Sequence, residues 1–456
     1  MVITKTASGR SLIPIAALVV AVMLITASNF TATSVNRVFA DSNVGLNSTS
    51  PEKTQVLPRT VVLDPSTLLK LKQDFNEGNN TMLGLSLHAL VLQASSLLNK
   101  KATSVVDKSE LPPSGDIHDF LSLAPYRWPD PTKKDGLPYI GRDGKTNPEI
   151  YSIPDKRNMD DMIHSVTVLA AAYYLTGNSQ YASKAEELLR NWFLNNSTKM
   201  NPNLTYAETV RGKSKIYSAG IMAGRNLTDV VDAIGLIQHS SAWSNEDQVG
   251  IASWFSQYLD WLLKSNSGKE EALKINNHGT YYYVQVSAIA LFLNKTSIVR
   301  NIIKASIGPP SSSTFVAPEK SIRVKILPNG LQPFELQRTK SLDYSIFNLL
   351  GLFKLANIGQ KAGIDIWNYT TDRVPLLQKA LDFLLPYIIK KQPWPYSQDT
   401  QINRYLATDL LRQALFHYPN SSGPYLDAYK IVSRNSLFLS LDNLSPTNSK
   451  NQSNLH

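Results

Sequence analysis

The sequence has no cysteine and only seven histidines in 456 residues. Without cysteine the chain cannot form disulfides, thiolate zinc sites, iron–sulfur clusters or a cysteine nucleophile. His118, His164, His239 and His417 are scattered and lack the spacing of a metal motif, so we predict that neither a metal nor another cofactor is needed. The lysines and arginines form no run or stripe, so nothing indicates a nucleic-acid partner.

The chain is nevertheless apolar and long enough to fold. Hydrophobic residues make up 43% of it, which is enough for a large core and excludes wholesale disorder. Its 456 residues fit one large domain or two ordinary ones, since a typical domain has roughly 100–200 residues.

The first forty residues have the pattern of an export signal. Lys5 and Arg10 form a basic start, an apolar run covers 11–26, and Val38-Phe39-Ala40 ends in a small residue. The run is short for a membrane span of about 20 residues, so we predict a cleaved signal peptide at 1–40, with an uncleaved anchor as the alternative. The protein is then secreted, periplasmic or at the cell surface, with no stable membrane partner after cleavage.

Polar segments flank a single folded region. We predict a flexible lead-in at 41–57, one domain at 58–444 and a disordered tail at 445–456. Asn-x-Ser/Thr sequons suit a secreted glycoprotein if the host glycosylates. They begin at Asn47, Asn79, Asn203, Asn226, Asn294, Asn368, Asn420, Asn443 and Asn451.

Apolar residues recur at helical spacing through most of the domain. No βαβ rhythm is present, so a parallel sheet is not expected, and at most minor strands are predicted near 325–327 and 334–336. Helical hairpins in series over this length can close into a ring, which makes an all-α fold of the α/α-toroid type the prediction. The predicted helices are 81–100, 160–176, 181–194, 227–237, 246–263, 279–293, 296–307, 342–358, 374–389, 404–416 and 426–432.

One long irregular stretch, 102–155, interrupts the helices and is rich in proline, glycine and aromatic residues. A loop this long inside a domain is usually functional. Its aromatic rings could stack on sugars and its arginines could pair with carboxylates, while a purely packed loop is the alternative. The candidates are Tyr126, Arg127, Trp128, Tyr139 and Arg142.

Two further segments hold candidate residues. Asn276-Asn277-His278 precedes a predicted helix, so Asn276 or Asn277 suits an N-cap, and the helix dipole favours a neutral His278. Tyr282 follows in that helix. In the segment 328–345, a helix starts near Ser341, which places Arg338 before it and Tyr344 in its first turns. A core tyrosine beside a surface arginine is the alternative there.

Taken together and in order, these segments resemble the alginate lyase family of helical polysaccharide lyases. The resemblance covers about Leu111 to Tyr396. The matching pieces are Ser122-Leu123-Ala124-Pro125-Tyr126-Arg127-Trp128-Pro129-Asp130-Pro131, Asp135-Gly136-Leu137-Pro138-Tyr139, Arg142-Asp143-Gly144, Asn147-Pro148-Glu149, Ala171-Ala172-Tyr173-Tyr174-Leu175-Thr176-Gly177, Met200-Asn201-Pro202-Asn203-Leu204, Asn276-Asn277-His278, Gln332-Pro333, Glu335-Leu336, Arg338-Thr339 and Lys391-Gln392-Pro393-Trp394-Pro395-Tyr396.

The resemblance implies an incomplete α/α toroid that cleaves a polyuronate by β-elimination, giving 4,5-unsaturated ends. The family's Asn-His pair, arginine and tyrosine carry over to Asn277, His278, Arg338 and Tyr344, with Gln332 among the residues expected to contact the sugar. The chain departs from the family pattern at Arg127, where an aromatic residue is common, and at Asp343, where a histidine is often near.

The chemistry expected of these residues is acid–base catalysis next to a neutralised carboxylate. Asn277 and Arg338 would stabilise that carboxylate. Arg338 is expected to lower the pKa of Tyr344, which would exchange protons with C5 and with the leaving oxygen. For the opposite C5 configuration, His278 would be the base and Tyr344 the acid.

Two alternatives remain at the level of sequence. Removing Lys5, Arg10 and Arg37 with the signal lowers the net charge from +10 to +7, which suits an acidic polysaccharide as the partner. A non-catalytic glycan-binding protein would bind that polymer without turnover. A glycoside hydrolase on the same toroid would need two carboxylates across the scissile bond; the candidates are Asp116, Asp119, Asp160, Asp161, Glu335 and Asp343.

Overall fold

The structure is a computed structural model that describes residues 57–77, 81–307 and 322–442. The predicted signal peptide and tail, and all of the lead-in except Leu57, lie outside the described residues. Among the helices of the described ranges, none is both long and apolar enough to span a membrane.

Helices dominate the described residues. The regular α-helices are α1 Pro65–Asn76, α2 Thr81–Leu97, α3 Asp155–Thr176, α4 Ser179–Leu189, α5 Leu227–Ile237, α6 Asn245–Lys264, α7 Asn266–Ala272, α8 Asn277–Phe292, α9 Thr296–Ile307, α10 Ile322–Lys325, α11 Pro333–Leu336, α12 Ser341–Lys361, α13 Leu376–Ile388, α14 Arg404–His417 and α15 Ser422–Asp442.

The helices pack in two layers. Successive inner helices contact one another in the order α3, α5, α8, α12 and α14, and the partners α4, α9, α13 and α15 pack outside α3, α8, α12 and α14. One continuous apolar core, from Val61 to Val432, lies between the layers. The fold is therefore the predicted all-α, incomplete α/α toroid.

Local signals begin and end these helices, and Asn276 is the one of the two predicted cap candidates that caps α8. Gly177 closes α3 in the left-handed conformation with φ of 74°, which glycine adopts without steric cost. Ser244 forms a capping box with Asp247 at the start of α6. The side chain of Asn276 accepts the His278 N–H at 3.2 Å and caps α8.

Three short strands lie in the irregular stretch, and a fourth follows later in the chain. In order they are β1 Leu121–Leu123, β2 Arg127–Trp128, β3 Ile140–Gly141 and, beyond α4, β4 Tyr206–Thr209. β1 pairs with β4 in parallel, and β2 pairs with β3 in antiparallel register, with Arg127 opposite Gly141. Leu121 and Leu123 join Ile153 in a small second core. These contacts fix the loop against the helical body.

Several details differ from the sequence prediction. The prediction of minor strands near 325–327 and 334–336 is wrong. Residues 334–336 belong to the single helical turn α11, and 325–327 start at the last residue of the single turn α10 and continue as irregular chain. The prediction also missed α1 and α7. Both begin with local signals: Asp64 caps α1, which has proline in its first turn, and Ser265 caps α7. The last helix is longer than the predicted 426–432.

Candidate active site

Tyr344 lies in the first turn of α12, and Arg338 lies before that helix, as the sequence predicts. The guanidinium carbon of Arg338 is 4.2 Å from the centre of the Tyr344 ring. On the hydroxyl side, Tyr344 donates to the Tyr126 hydroxyl at 3.2 Å. The two tyrosines are 218 positions apart in the chain, so the fold brings the proline-aromatic loop onto the start of α12.

Asp143 holds this loop against the segment that carries Arg338. Its carboxylate accepts from Arg338 Nη2 at 2.8 Å and Nε at 3.2 Å. It also accepts from the Thr339 N–H and hydroxyl at 3.3 and 3.1 Å. The hydrogen bonds from Arg338 hold the pKa of Asp143 below its usual value. Asp143 therefore both orients the guanidinium and balances its charge.

Arg338 acts on the pKa of Tyr344 in the expected lowering direction, but other influences outweigh it. Burial is the largest influence on the phenol, and the hydrogen bond with Tyr126 adds to it, so the pKa of Tyr344 is raised above its usual value. Arg338 acts in the lowering direction but more weakly, and Asp143 opposes it. The phenol consequently keeps its proton at neutral pH and can donate it.

His278 is held by a buried glutamate that the sequence reasoning missed. Its Nδ1 lies 2.6 Å from Oε1 of Glu271, at the end of α7. Glu271 is fully buried, whereas the His278 side chain is 26% exposed. When Nδ1 donates to this carboxylate, the neutral ring presents the Nε2 lone pair away from Glu271. The arrangement suits a base whose ring orientation is fixed by the contact between Nδ1 and Glu271.

Asn277 contacts a second buried glutamate. Its N–H donates to Oε1 of Glu335 at 2.6 Å, and its Nδ2 donates to Oε2 at 2.7 Å. Burial raises the pKa of Glu335, which the two Asn277 donors oppose. The Arg338 N–H in turn donates to the Glu335 carbonyl. Glu335 thus connects the Asn277-His278 pair with the Arg338 segment.

Two of the predicted sugar contacts are wrong, because both side chains are committed to the interior. Tyr282 is 4% exposed and donates its hydroxyl to the Leu262 carbonyl at 2.9 Å. Gln332 is 2% exposed, donating to the Ser345 carbonyl and accepting from Asn348. Tyr282 packs in the core, and Gln332 ties α11 to α12.

The remaining loop candidates are at least partly accessible. Trp128 donates its indole N–H to the Lys145 carbonyl, and the exposed Arg142 guanidinium lies 5.5 Å from its ring centre. Arg127 lies 5.9 Å from the ring centre of Tyr217. The half-buried Tyr139 donates to Glu149 at 2.7 Å. Their roles in sugar binding stay predictions.

Asp343, which lies next to Tyr344 where a histidine is often near in the family, faces the segment 398–403. Its carboxylate accepts from the Asn403 N–H at 2.8 Å and from Gln398 Nε2 at 3.1 Å. Burial raises its pKa. Asp343 anchors the chain that follows α13 and leaves the Tyr344 hydroxyl to Tyr126.

The carboxylates proposed for hydrolysis are also committed to other contacts. Asn201 Nδ2 donates to both Asp116 and Asp119, while Asp160 and Asp161 form ion pairs with Lys156 and Lys100. Glu335 and Asp343 have the partners described above. This arrangement offers no facing pair of free carboxylates among these six, and so does not support the hydrolase alternative.

Within the described ranges, no three histidine, aspartate or glutamate side chains are grouped as a metal site.

Comparisons with known proteins identify the family and the fold. Residues 104–394 match the family model described as alginate lyase. The crystal structure of an alginate lyase from Bacteroides ovatus is 35% identical, covers 83% of this chain and 98% of its own, and superposes with a TM-score of 0.74. A search of curated proteins finds no match.

Two structures of alginate lyase A1-III variants complexed with tetrasaccharide are more distant. They are 15% and 14% identical, cover 73% and 71% of this chain and 88% and 84% of their own, and have TM-scores of 0.41 and 0.37.

Proposed function

The chain belongs to the alginate lyase family and is a polysaccharide lyase, and from this we propose that it cleaves alginate or a related polyuronate by β-elimination. The observation that carries the proposal is the group formed by Tyr126, Arg338 and Tyr344, connected through Glu335 to Asn277 and His278. It combines a proton donor, a fixed cation and an oriented imidazole.

Elimination breaks the C5–H and C4–O bonds and forms a C4=C5 double bond. The C5 proton is weakly acidic while the neighbouring carboxylate is negative, so a cation or N–H donor must stabilise that carboxylate. Arg338 is suited to this role because its side chain is 23% exposed and its guanidinium lies beside the Tyr344 ring. Asn277 is only 2% exposed and is engaged with Glu335, so its part is mainly to position its neighbours.

The proton-transfer roles follow from the state of each group. The neutral phenol of Tyr344 suits the acid that protonates the leaving C4 oxygen. The Nε2 lone pair of His278 suits the base that removes the C5 proton. For the opposite C5 configuration, Tyr344 would do both: its phenolate, formed by losing a proton to solvent, would take the C5 proton and pass it to the C4 oxygen. Acid–base help of this kind is worth roughly 10²–10⁴-fold.

Product absorbance tests the reaction and the substrate together. Elimination gives a conjugated C4=C5 bond that absorbs in the ultraviolet, whereas hydrolysis gives saturated ends. The polymers to compare are alginate, mannuronate-rich and guluronate-rich fractions, and glucuronan. Rising absorbance on at least one of them supports the proposal. Reducing ends that form without absorbance would contradict elimination, and binding without either product would indicate a glycan-binding protein.

Export is part of the proposal and rests on the first forty residues alone. The mature protein is expected to begin near Asp41. N-terminal sequencing of protein secreted by the native host would contradict cleavage if it found Met1.

A further inference from the structure

Glu208 occupies a β-bulge next to the candidate site. Leu121 of β1 pairs with Tyr206 and Leu123 pairs with Thr209, so β4 contains one more residue than β1 between these two pairs. Within the bulge Glu208 has φ of +52°, a left-handed backbone that residues other than glycine seldom adopt. Bulges next to active sites often redirect a side chain.

The surrounding structure holds this backbone in place. The Glu208 N–H donates to the Ser122 hydroxyl at 3.0 Å, and the Thr209 hydroxyl donates to the Ser122 carbonyl at 3.0 Å. Behind the strand, a Cβ placed on Gly220 would lie 2.3 Å from the Ala207 carbonyl oxygen. The close approach of Gly220 fixes β4 from the other side. An unusual conformation this firmly held points to a requirement on the Glu208 side chain.

The Glu208 carboxylate is surrounded by charged groups but has no partner of its own. It makes no hydrogen bond or ion pair with any residue in the described part of the chain. The groups facing it are Lys156 from α3, Arg225 after the 218–224 segment, Glu271 from α7 and His278 from α8.

Each of the facing groups is already engaged. Lys156 pairs with Asp160, and His278 pairs with Glu271. Arg225 donates to the Met222 carbonyl at 2.9 Å. Burial penalises the charged carboxylate and raises the pKa of Glu208 to about 7, although His278, Arg225 and Lys156 act in the opposite direction.

We propose that Glu208 is a substrate-positioning residue. In its neutral carboxylic acid form it binds a uronate chain by donating a hydrogen bond to a substrate oxygen. An anionic sugar that enters beside a charged, unpaired glutamate would be repelled, whereas a carboxylic acid can donate a hydrogen bond to it. The inference rests on the proposed function for the class of ligand.

The proposal makes affinity depend on pH with a defined sign. A carboxyl group with a pKa of about 7 is about 0.9 neutral at pH 6 and about 0.03 neutral at pH 8.5. If only the neutral form binds, Kd rises by about 30-fold between these two pH values, and at pH 8 binding takes up about 0.9 protons.

Calorimetry with alginate oligosaccharides tests this in the Tyr344→Phe background, where turnover should not interfere. Parallel titrations in buffers of different ionisation enthalpy count the protons taken up. Adding Glu208→Gln keeps a hydrogen-bond donor but removes the titration of this carboxyl group, so most of the rise in Kd and most of the proton uptake at pH 8 should disappear. Glu208→Ala should bind more weakly than Glu208→Gln at every pH. The matched control, Glu246→Gln, removes an exposed carboxylate and should keep the rise in Kd.

The outcomes separate this proposal from the proposed function. The same rise in Kd with and without Glu208→Gln, or no proton uptake at pH 8 in the Tyr344→Phe protein, overturns the role of Glu208. Absence of unsaturated products from the wild-type enzyme overturns the proposed lyase reaction instead, and the calorimetric result stands apart from it. Circular dichroism and a melting curve establish that each variant is folded.

Discussion

Tyr344→Phe separates a proton-transfer residue from a packing residue. The change deletes one oxygen and leaves the ring in contact with Arg338. If Tyr344 protonates the leaving oxygen, turnover should fall by at least about 10²-fold, which corresponds to about 2.7 kcal/mol in the activation barrier. Polymer binding should change little, because the ring and the neighbouring cation remain.

The structure sets the stability cost of this change well below its catalytic cost. The Tyr344 hydroxyl makes one hydrogen bond, 3.2 Å long, to Tyr126. Losing such a bond costs about 0.5–1.5 kcal/mol, and the half-buried Tyr126 can turn its hydroxyl to water. Denaturant unfolding should therefore show a nearly normal protein. A packing tyrosine would show the reverse: a stability change with almost no loss of rate.

Tyr126→Phe is the matched control, because it removes the other end of the same hydrogen bond. Initial rates of ultraviolet absorbance on the preferred polymer compare the two variants. If Tyr344 transfers the proton, the elimination rate should fall by about two orders of magnitude in Tyr344→Phe but not in Tyr126→Phe. Near-normal elimination by Tyr344→Phe would remove this residue from the mechanism, and equal losses in both variants would mean that only the hydrogen bond matters.

Three further predictions concern the rest of the molecule. Glu271→Gln removes the carboxylate that orients His278. On polymers for which imidazole is the base, it should lower kcat by about tenfold or more with little change in KM. Unchanged kcat on every polymer would contradict this role of Glu271. Asp155→Ala leaves the buried Lys108 without its carboxylate, which lies 2.9 Å away, and should cost about 3–5 kcal/mol in urea unfolding. The partly exposed Asp161 provides the control, since Asp161→Ala should cost about 0–1 kcal/mol, and similar losses would argue against the buried pair. Activity should survive a strong chelator; loss on chelation with recovery by one specific ion would contradict a metal-independent mechanism.

Most of the fold was predictable from local patterns. Apolar residues at helical spacing predict helices because one face of each must be buried, and the interruption at Gly177-Asn178 separates α3 from α4. The sequence also predicted that Asn276 or Asn277 would cap α8, since an Asn side chain reaches the N–H groups of the first turn. The single turns α10 and α11 were not, because four residues are too few to show a helical period.

The candidate site was predictable in its residue types and in part of its membership. Arg338 and Tyr344 were placed correctly relative to the helix start, because a turn and a helix start nearby are local features. Gln332 and Tyr282 were misassigned, since the same polar side chain can face a substrate or the interior, and only packing decides between them.

The helical periodicity, the candidate helix caps and the ordered motifs of the family are evident without a structure, because they depend on residues close together in the chain. Which distant groups meet depends instead on the folded chain, as for Tyr126 with Tyr344 and Asp143 with Arg338. The folded chain also decides their proton affinities: burial raises the pKa of Tyr344 where the sequence alone suggested that Arg338 lowers it. The burial of a group depends on all the residues packed around it, and those residues come together only when the toroid has formed.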